Sequence, residues 1–399
     1  MAAVVRSRTW AIANPSRPHI AVCLGSTHIS RRQYSFDVVK KQHGNLAAYK
    51  RGTGGRSSFS GVVATVFGSS GYLGRYVVNK LGKVGCQIIC PHRSDHYHSR
   101  HLKMSGDWGQ ILFVPIHLRD DESLRKAMKY SNVVINLIGR DFETKNFKYH
   151  DVNVEGAARI ARLAKEMGVE KLIHVSHLRA QPNPPPIVLK GGSEFLKTKY
   201  FGELAVRDEF PEAVIIRPAD IFGHEDRFFN YWTRRFRRVY PYRIPMWKKG
   251  TQTIKMPIFV SDVAQGITNA VFNQDSPGQT YEFVGPHSYY LSEIVDYMYR
   301  CMRIPEQSRT WITPYFMAKV KLIDKVFPHT PLMNLDKLSS EHVSDILRDE
   351  LTLADLGVDN LLHLEDRAEW ELKVIRRDRQ VEEKVGAFPT PYPPRIIPT

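Results

Sequence analysis

The feature that most constrains this chain lies between residues 62 and 83. Val62-Val63-Ala64-Thr65-Val66-Phe67 is an apolar, β-branched run and reads as a strand buried on both faces. It passes without a spacer into Gly68-Ser69-Ser70-Gly71-Tyr72-Leu73-Gly74, and a helical pattern opens at Arg75. Glycines at these points admit a tight turn and let backbone N–H groups approach a diphosphate. The N-terminus of the next helix adds a favourable dipole. G-x-x-G-x-x-G is a looser signature than G-x-G-x-x-G, and its place between strand and helix gives it weight. The alternation continues, with strands expected at 86–90, 111–116, 132–138, 171–176 and 213–217. Helices are expected at 121–128, 151–167 and 193–209. Such a pattern predicts an α/β fold, a doubly wound parallel sheet of Rossmann type with its ligand over the carboxyl ends of the strands.

Composition narrows the class. The chain has 399 residues, with no apolar run long enough for a membrane-spanning helix. Four cysteines without a C-x-x-C pair give no disulfide scaffold, zinc knuckle or redox dithiol, and no metal site is expected. A net charge of +16 favours anionic partners. Residues 1–34 hold five arginines, no lysine and no acid. This is the composition of a mitochondrial transit peptide, and Arg32-Gln33-Tyr34-Ser35 suggests cleavage after Tyr34. The expected organisation is a leader at 1–34, a basic linker at 35–58 and a dinucleotide domain at 59–223. A smaller C-terminal region at 224–385, interleaved with that domain, and a proline-rich tail at 386–399 complete it. Amphipathic helices are expected at 291–302 and 314–327, and an exposed charged helix at 363–384.

Arg93 follows the second strand, about 20 residues past the glycines, where NAD-specific sites usually hold a carboxylate. An arginine there suits a 2′-phosphate and hence NADPH, although Asp95 stands nearby. Farther along come Asn136-Leu137-Ile138-Gly139, Asp151 to Gly156, His174-Val175-Ser176, Lys199 with Gly202-Glu203, Arg217 to Gly223 and Phe259 to Ala264. In order and spacing these resemble the extended short-chain dehydrogenase/reductase family over residues 60–300. The resemblance implies a site built from Ser, Tyr and Lys. There the phenol moves a proton, the lysine lowers its pKa and binds the ribose, and the serine polarises the substrate oxygen. It places cofactor contacts on Gly68, Ser69, Ser70, Gly71, Tyr72, Leu73 and Gly74, on Arg93 and on Leu118. Further contacts fall on Leu137, Ile138, Gly139, Val175, Ser176, Lys199 and Pro218.

Two residues depart from that pattern. Phe195 stands four before Lys199, where the family has its tyrosine, and has no exchangeable proton. His117 precedes Leu118 where the family commonly has an acid, leaving the Leu118 backbone for adenine. A cofactor cradle without its proton donor points to a bound nucleotide and no turnover, so no catalytic residue is expected. Gly71 to Val78, Phe210 to Ala213 and Asp220 to Phe228 resemble one branch of the family more specifically, the NADPH-binding accessory subunits of mitochondrial respiratory complex I. That branch implies other complex I subunits as partners, a matrix position peripheral on the inner membrane, and support of assembly or stability near the quinone-binding region.

Residues 227–250 contain eight basic residues, eight aromatics and no acid. This composition suits cardiolipin or the inner-membrane surface. Nucleic acid competes less well, and a solvated loop with its aromatics packed inward is an equal rival. Two other functions stand against the subunit reading. One is an active NADPH-dependent reductase or epimerase using His177 or water as proton donor. The other is an NADPH-bound lipid or RNA adaptor.

Overall fold

The computed structural model describes residues 50–93, 95–239, 243–304, 308–326, 333–376 and 389–397. The expected leader, most of the basic linker and residues 377–384 of the expected charged helix lie outside the described residues. Seven parallel strands form the main sheet: β1 Val63–Phe67, β2 Gln87–His92, β3 Ile111–Pro115, β4 Val133–Asn136, β5 Lys171–Val175, β6 Val214–Pro218 and β7 Thr280–Phe283. Their order is β7-β6-β5-β4-β1-β2-β3. The winding reverses between β1 and β4, where Ala64 pairs with Val133 and Phe67 with Asn136. Ligands bind at such a switch point.

Both faces of the sheet are covered, which is why β1, β4 and β6 are buried along their whole length. On one face, Val77, Val78 and Leu81 of helix α1 (Tyr72–Lys83) share a core with Ile88 and Ile216. On the other lie α2 (Asp121–Met128), α3 (Gly156–Glu166) and α4 (Glu194–Glu209), with Leu124, Ile160, Leu163 and Val206 packed on Phe67, Val134 and Leu172. Asp120 caps α2 by accepting from the N–H groups of Glu122 and Ser123. The smaller core gathers α5 (Phe228–Thr233), α7 (Leu291–Cys301), α8 (Pro314–Val326) and α10 (Leu364–Leu372). Two more helices join these regions: α6 (Val260–Phe272), which adds Val263 and Ile267 to the first core, and α9 (Leu335–Glu341).

Several details differ from the sequence expectation. Helix α1 opens at Tyr72, not Arg75, so Tyr72, Leu73 and Gly74 form its first turn. The helix expected at 151–167 begins as a π turn, Asp151–Glu155. Asn153 Nδ2 donates to Thr198 Oγ1 at 3.1 Å and holds that wide turn against α4. The contact needs Gly202, whose Cβ would stand 2.2 Å from Asn153 O. The proline-rich tail runs extended as its prolines require, with Ile396–Ile397 antiparallel to Ser288–Tyr289 of its own chain.

In the segment 227–250, four aromatics follow the inward-packed alternative. Phe228, Phe229, Tyr231 and Trp232 are all buried. The Arg237 guanidinium is buried with them, 4.0 Å from the Trp232 ring centre and 4.4 Å from that of Tyr231, and pairs with Glu341 at 3.4 Å. Alternating arginines and aromatics can lie against lipid or make a core by stacking, and composition does not say which.

Candidate functional site

The turn after β1 is shaped by contacts that only glycine permits. Gly68 has φ +83°, and a Cβ on it would meet the backbone of Leu137 at 3.2 Å. A Cβ on Gly74 would stand 2.3 Å from Gly68 O. The helix therefore starts flush against the turn, and Gly71 forms its N-cap with no side-chain cap on the first N–H groups. At the end of β4, a Cβ on Gly139 would lie 2.7 Å from Lys199 Nζ.

Beside the turn opens a cleft of ≈ 260 Å³. Its wall brings together Tyr72, Leu137, Gly139, Val175, Ser176, Lys199 and Pro218 from five separate stretches of sequence. Lys199 Nζ donates to Val175 O at 3.2 Å, and burial lowers its pKa to about 8. Ser176 Oγ and Tyr72 Oη are buried without a hydrogen-bond partner among the described residues. Phe195 also lines the cleft, with its ring centre 6.0 Å from His177 and 6.2 Å from Tyr149. His177 Nδ1 accepts from Arg179 N–H at 3.2 Å. Burial, reinforced by Arg179, holds that imidazole well below its usual pKa and keeps it neutral, a poor proton donor.

The far wall is supplied by the chain's own C-terminal region. Asp336 of α9 accepts from Ser193 Oγ at 2.9 Å, from Glu194 N at 2.7 Å and from Phe195 N at 3.1 Å, and so caps α4 from across the cleft. Lys337 Nζ reaches Asp141 Oδ2 at 2.8 Å, and Arg227 Nη1 reaches Asp141 Oδ1 at 2.5 Å. Asp141 is held at about 2, since Lys337 and Arg227 outweigh burial. Its neighbour Arg140 has a lowered pKa, first from burial and then from the charges of Arg93 and Arg227. Three arginines therefore create a positive field at the edge of the site.

Not every expected residue reaches this cleft. Gly68, Ser69, Ser70, Gly71, Leu73 and Gly74 build the turn beside it, with Ser69 and Gly74 buried and Ser70 and Gly71 exposed. Ile138 N–H donates to Asn136 Oδ1 at 3.0 Å, which shapes the loop after β4. Arg93 is exposed past β2. Leu118 sits over Gly156, and its carbonyl is taken by Arg159 Nη1 at 3.1 Å. Sequence reasoning missed Arg140, Asp141 and Asp336 as site residues. Arg140 and Asp141 directly follow the Asn136–Gly139 motif, a signal that was available; Asp336 arrives only through tertiary structure.

The orphaned Ser176 and Tyr72 hydroxyls, the glycine clearances and the arginine field fit a bound dinucleotide. A parallel sheet in this order, with a glycine turn at its switch point and a lysine over the end of β5, defines a dinucleotide-binding protein of the short-chain dehydrogenase kind. The family described as "NAD dependent epimerase/dehydratase family" matches residues 64–283. The chain is 44% identical over 372 residues to "NADH dehydrogenase [ubiquinone] 1 alpha subcomplex subunit 9, mitochondrial" of Mus musculus, covering 90% of each. It is 36% identical to the "NADH-ubiquinone oxidoreductase 40 kDa subunit, mitochondrial" of Neurospora crassa, over 77% of this chain and 78% of that one. Among solved structures, a UDP-glucuronic acid 4-epimerase mutant of Bacillus cereus with NAD aligns at TM-score 0.56 and 16% identity. That alignment covers 78% of this chain and 98% of that one and concerns the fold alone. The chain belongs to the NAD dependent epimerase/dehydratase family and, within it, to the alpha subcomplex subunit 9 group.

Burial gives the site a pH signature. Glu341, in the cleft wall, is pushed up to about 7 by burial against the pull of Arg237 and Lys337. An acid raised this way keeps its proton in the folded chain after the unfolded chain has lost it. Its contribution is therefore greatest in acid, falls as pH rises from the unfolded value near 4.3 to about 7, and then levels. Buried histidines act oppositely: burial holds His174 and His342 at about 3, so acid favours the unfolded chain. The quantity to measure is thus the difference between Glu341→Gln and wild type in urea midpoint. The variant is expected to gain stability relative to wild type as pH rises from about 4.3 to about 7, and the difference then levels. A difference independent of pH would show that Glu341 is ionised throughout.

Proposed function

We propose that this protein is a noncatalytic accessory subunit of mitochondrial complex I that holds NADPH as a structural element. We place it in the matrix, peripheral on the inner membrane, where it supports assembly or stability of the complex near its quinone-binding region. The observation that carries the noncatalytic part is Phe195. It occupies the cleft one helical turn before Lys199 and presents a ring where the family's chemistry needs a phenol. His177 is held neutral, and Lys337 lines the cleft. The subunit part is supported by the curated relatives, which are mitochondrial NADH dehydrogenase subunits.

NADPH supplies a hydride to a carbonyl or imine when it is used as a reductant. Here the backbone of Gly68 to Gly74 would hold its diphosphate, and Arg93 with Arg140 its 2′-phosphate. Lys199 and Ser176 would meet the nicotinamide ribose end. A nucleotide bound only by the folded chain stabilises it by mass action, so turnover is not required for it to matter.

The test is native separation of mitochondria solubilised in mild detergent, probed for this chain and for NADH dehydrogenase activity. Co-migration in one large particle, with NADPH released on denaturing the purified chain, is expected. Migration as a small free species would reject stable membership. The Phe195→Tyr variant bears on catalysis: gain of NADPH oxidation with a carbonyl substrate would show that the wild-type chain lacks only its phenol. Sustained turnover by the wild type itself would overturn the noncatalytic reading in favour of a reductase.

A further inference from the structure

Helix α8 carries an apolar face that the described residues leave uncovered. Phe316 and Val320 point into the smaller core, and Ile323 is buried beside them on the helix. Tyr315, Leu322 and Val326 do not: they are 72%, 62% and 58% exposed. At about 100° per residue these three fall in one sector roughly 40° wide, with Lys319 between it and the buried sector. Trp311, three residues before the helix, is 57% exposed. Lys319 Nζ donates to Arg238 O at 2.9 Å, which brings the helix alongside the turn that carries the exposed Phe236. On the open flank, about 80–120° round from the stripe, stand the exposed Lys321 and Lys325. The one acid of the helix, Asp324, lies on the side away from the stripe.

We propose that this stripe, formed by Trp311, Tyr315, Leu322 and Val326, seats the chain on an anionic lipid surface. The proposal deepens the peripheral membrane position put forward above and rests on that reading only for which membrane is met. Three observations favour lipid. The apolar sector is narrow, so the helix lies in the interface plane and does not span it. Lysines border it on the solvent flank, where their stems run along apolar surface and their ammonium groups reach phosphates. Trp and Tyr sit at its start, side chains with an apolar body and a polar tip that prefer the headgroup level. This also moves the membrane contact expected at residues 227–250. The buried aromatics of that segment belong to the same core as Phe316 and Val320 of α8, and α8 provides the surface.

The experiment is flotation of the purified full chain with phosphatidylcholine vesicles, with and without cardiolipin. Binding is expected only with cardiolipin and is expected to weaken with salt. Leu322→Glu should lower the partition coefficient about tenfold or more, since it puts a charge in the apolar sector. Lys321→Gln and Lys325→Gln should each cost about fivefold at low salt. All three side chains are exposed, so the thermal midpoints of the variants should match wild type; Trp311→Ser supplies a further variant should one of them misfold. Failure of folded wild type to bind cardiolipin vesicles, or full binding by Leu322→Glu, overturns the proposal. So does a photo-crosslinker at position 322 that labels a protein and no lipid in intact mitochondria, which would make the stripe a protein interface. Membership of complex I is read separately from native co-migration, so the two readings can fail independently.

Discussion

Gly74→Ala is expected to yield a chain that retains no nucleotide and is less stable than wild type by about 3 kcal/mol or more. The added methyl group would stand 2.3 Å from Gly68 O and 2.7 Å from both Cα and O of Ser69. All three are backbone atoms of the turn, so no side chain can swing away to make room. Either α1 lifts from β1 or the turn opens. Lifting α1 strips Val77, Val78 and Leu81 from the core they share with Ile88 and Ile216. Opening the turn carries Gly68 into the Leu137 backbone, already 3.2 Å from where its own Cβ would be. Both routes misplace the N–H groups that would face a diphosphate, and loss of the ligand then adds its own share of destabilisation. Gly191→Ala is the matched control, because its Cβ would meet nothing nearer than Lys197 Nζ at 3.9 Å. Denaturant midpoints for both variants, with nucleotide released and identified from each, decide the matter. A Gly74→Ala chain with wild-type midpoint and nucleotide content would mean that the turn is not the binding element.

The part of the site that could be read in the sequence is local. A strand, a turn and a helix that follow one another within twenty residues fix their own geometry, so β1, the glycine turn and α1 were legible down to the glycines that contact backbone. The alternation of apolar runs and amphipathic stretches gave the parallel sheet, because strands buried on both faces leave a plain signal. Phe195 was legible for the same reason: its distance from Lys199 is one helical turn, and a turn is a local quantity. What escaped depends on contacts between remote segments. Asp336 lies 141 residues from the Phe195 N–H that it accepts from, and nothing in its neighbourhood announces a cap for another helix. The π turn at 151–155 answers to Gly202 and Thr198, not to its own sequence. Residues 227–250 show the same limit in another form, since Arg237 between Tyr231, Trp232 and Glu341 makes a buried stack from residues whose composition leaves surface and core equally open.

Arg179→Met is expected to have the other large effect, a loss of about 3–5 kcal/mol, because it removes one member of a buried and mutually neutralising quartet. Arg179 bonds Asp220 Oδ1 at 2.5 Å and stands 3.4 Å from Asp345 Oδ1. Lys255 Nζ lies 3.2 Å from Asp220 Oδ2 and 4.0 Å from Asp345 Oδ1. Two cations and two carboxylates cancel as a set, and burial makes each depend on the others. Asp220 shows the dependence: burial alone would raise its pKa, yet Arg179 and Lys255 hold it far below the usual carboxylate range. Without Arg179, Lys255 alone faces two carboxylates, and one of them must take up a proton or draw in water. Arg179 Nη1 also donates to Ser340 O at 2.5 Å, so the variant loosens the end of α9 from the cleft. Faster proteolysis within 333–345 should therefore accompany the lower midpoint. The double variant Arg179→Met with Asp220→Leu tells mere loss of packing from a stranded charge. If the stranded carboxylate is the main cost, the double variant is more stable than the single one, because removing both partners leaves no uncompensated charge. A double variant that loses the sum of the two single effects would show that the four groups act independently.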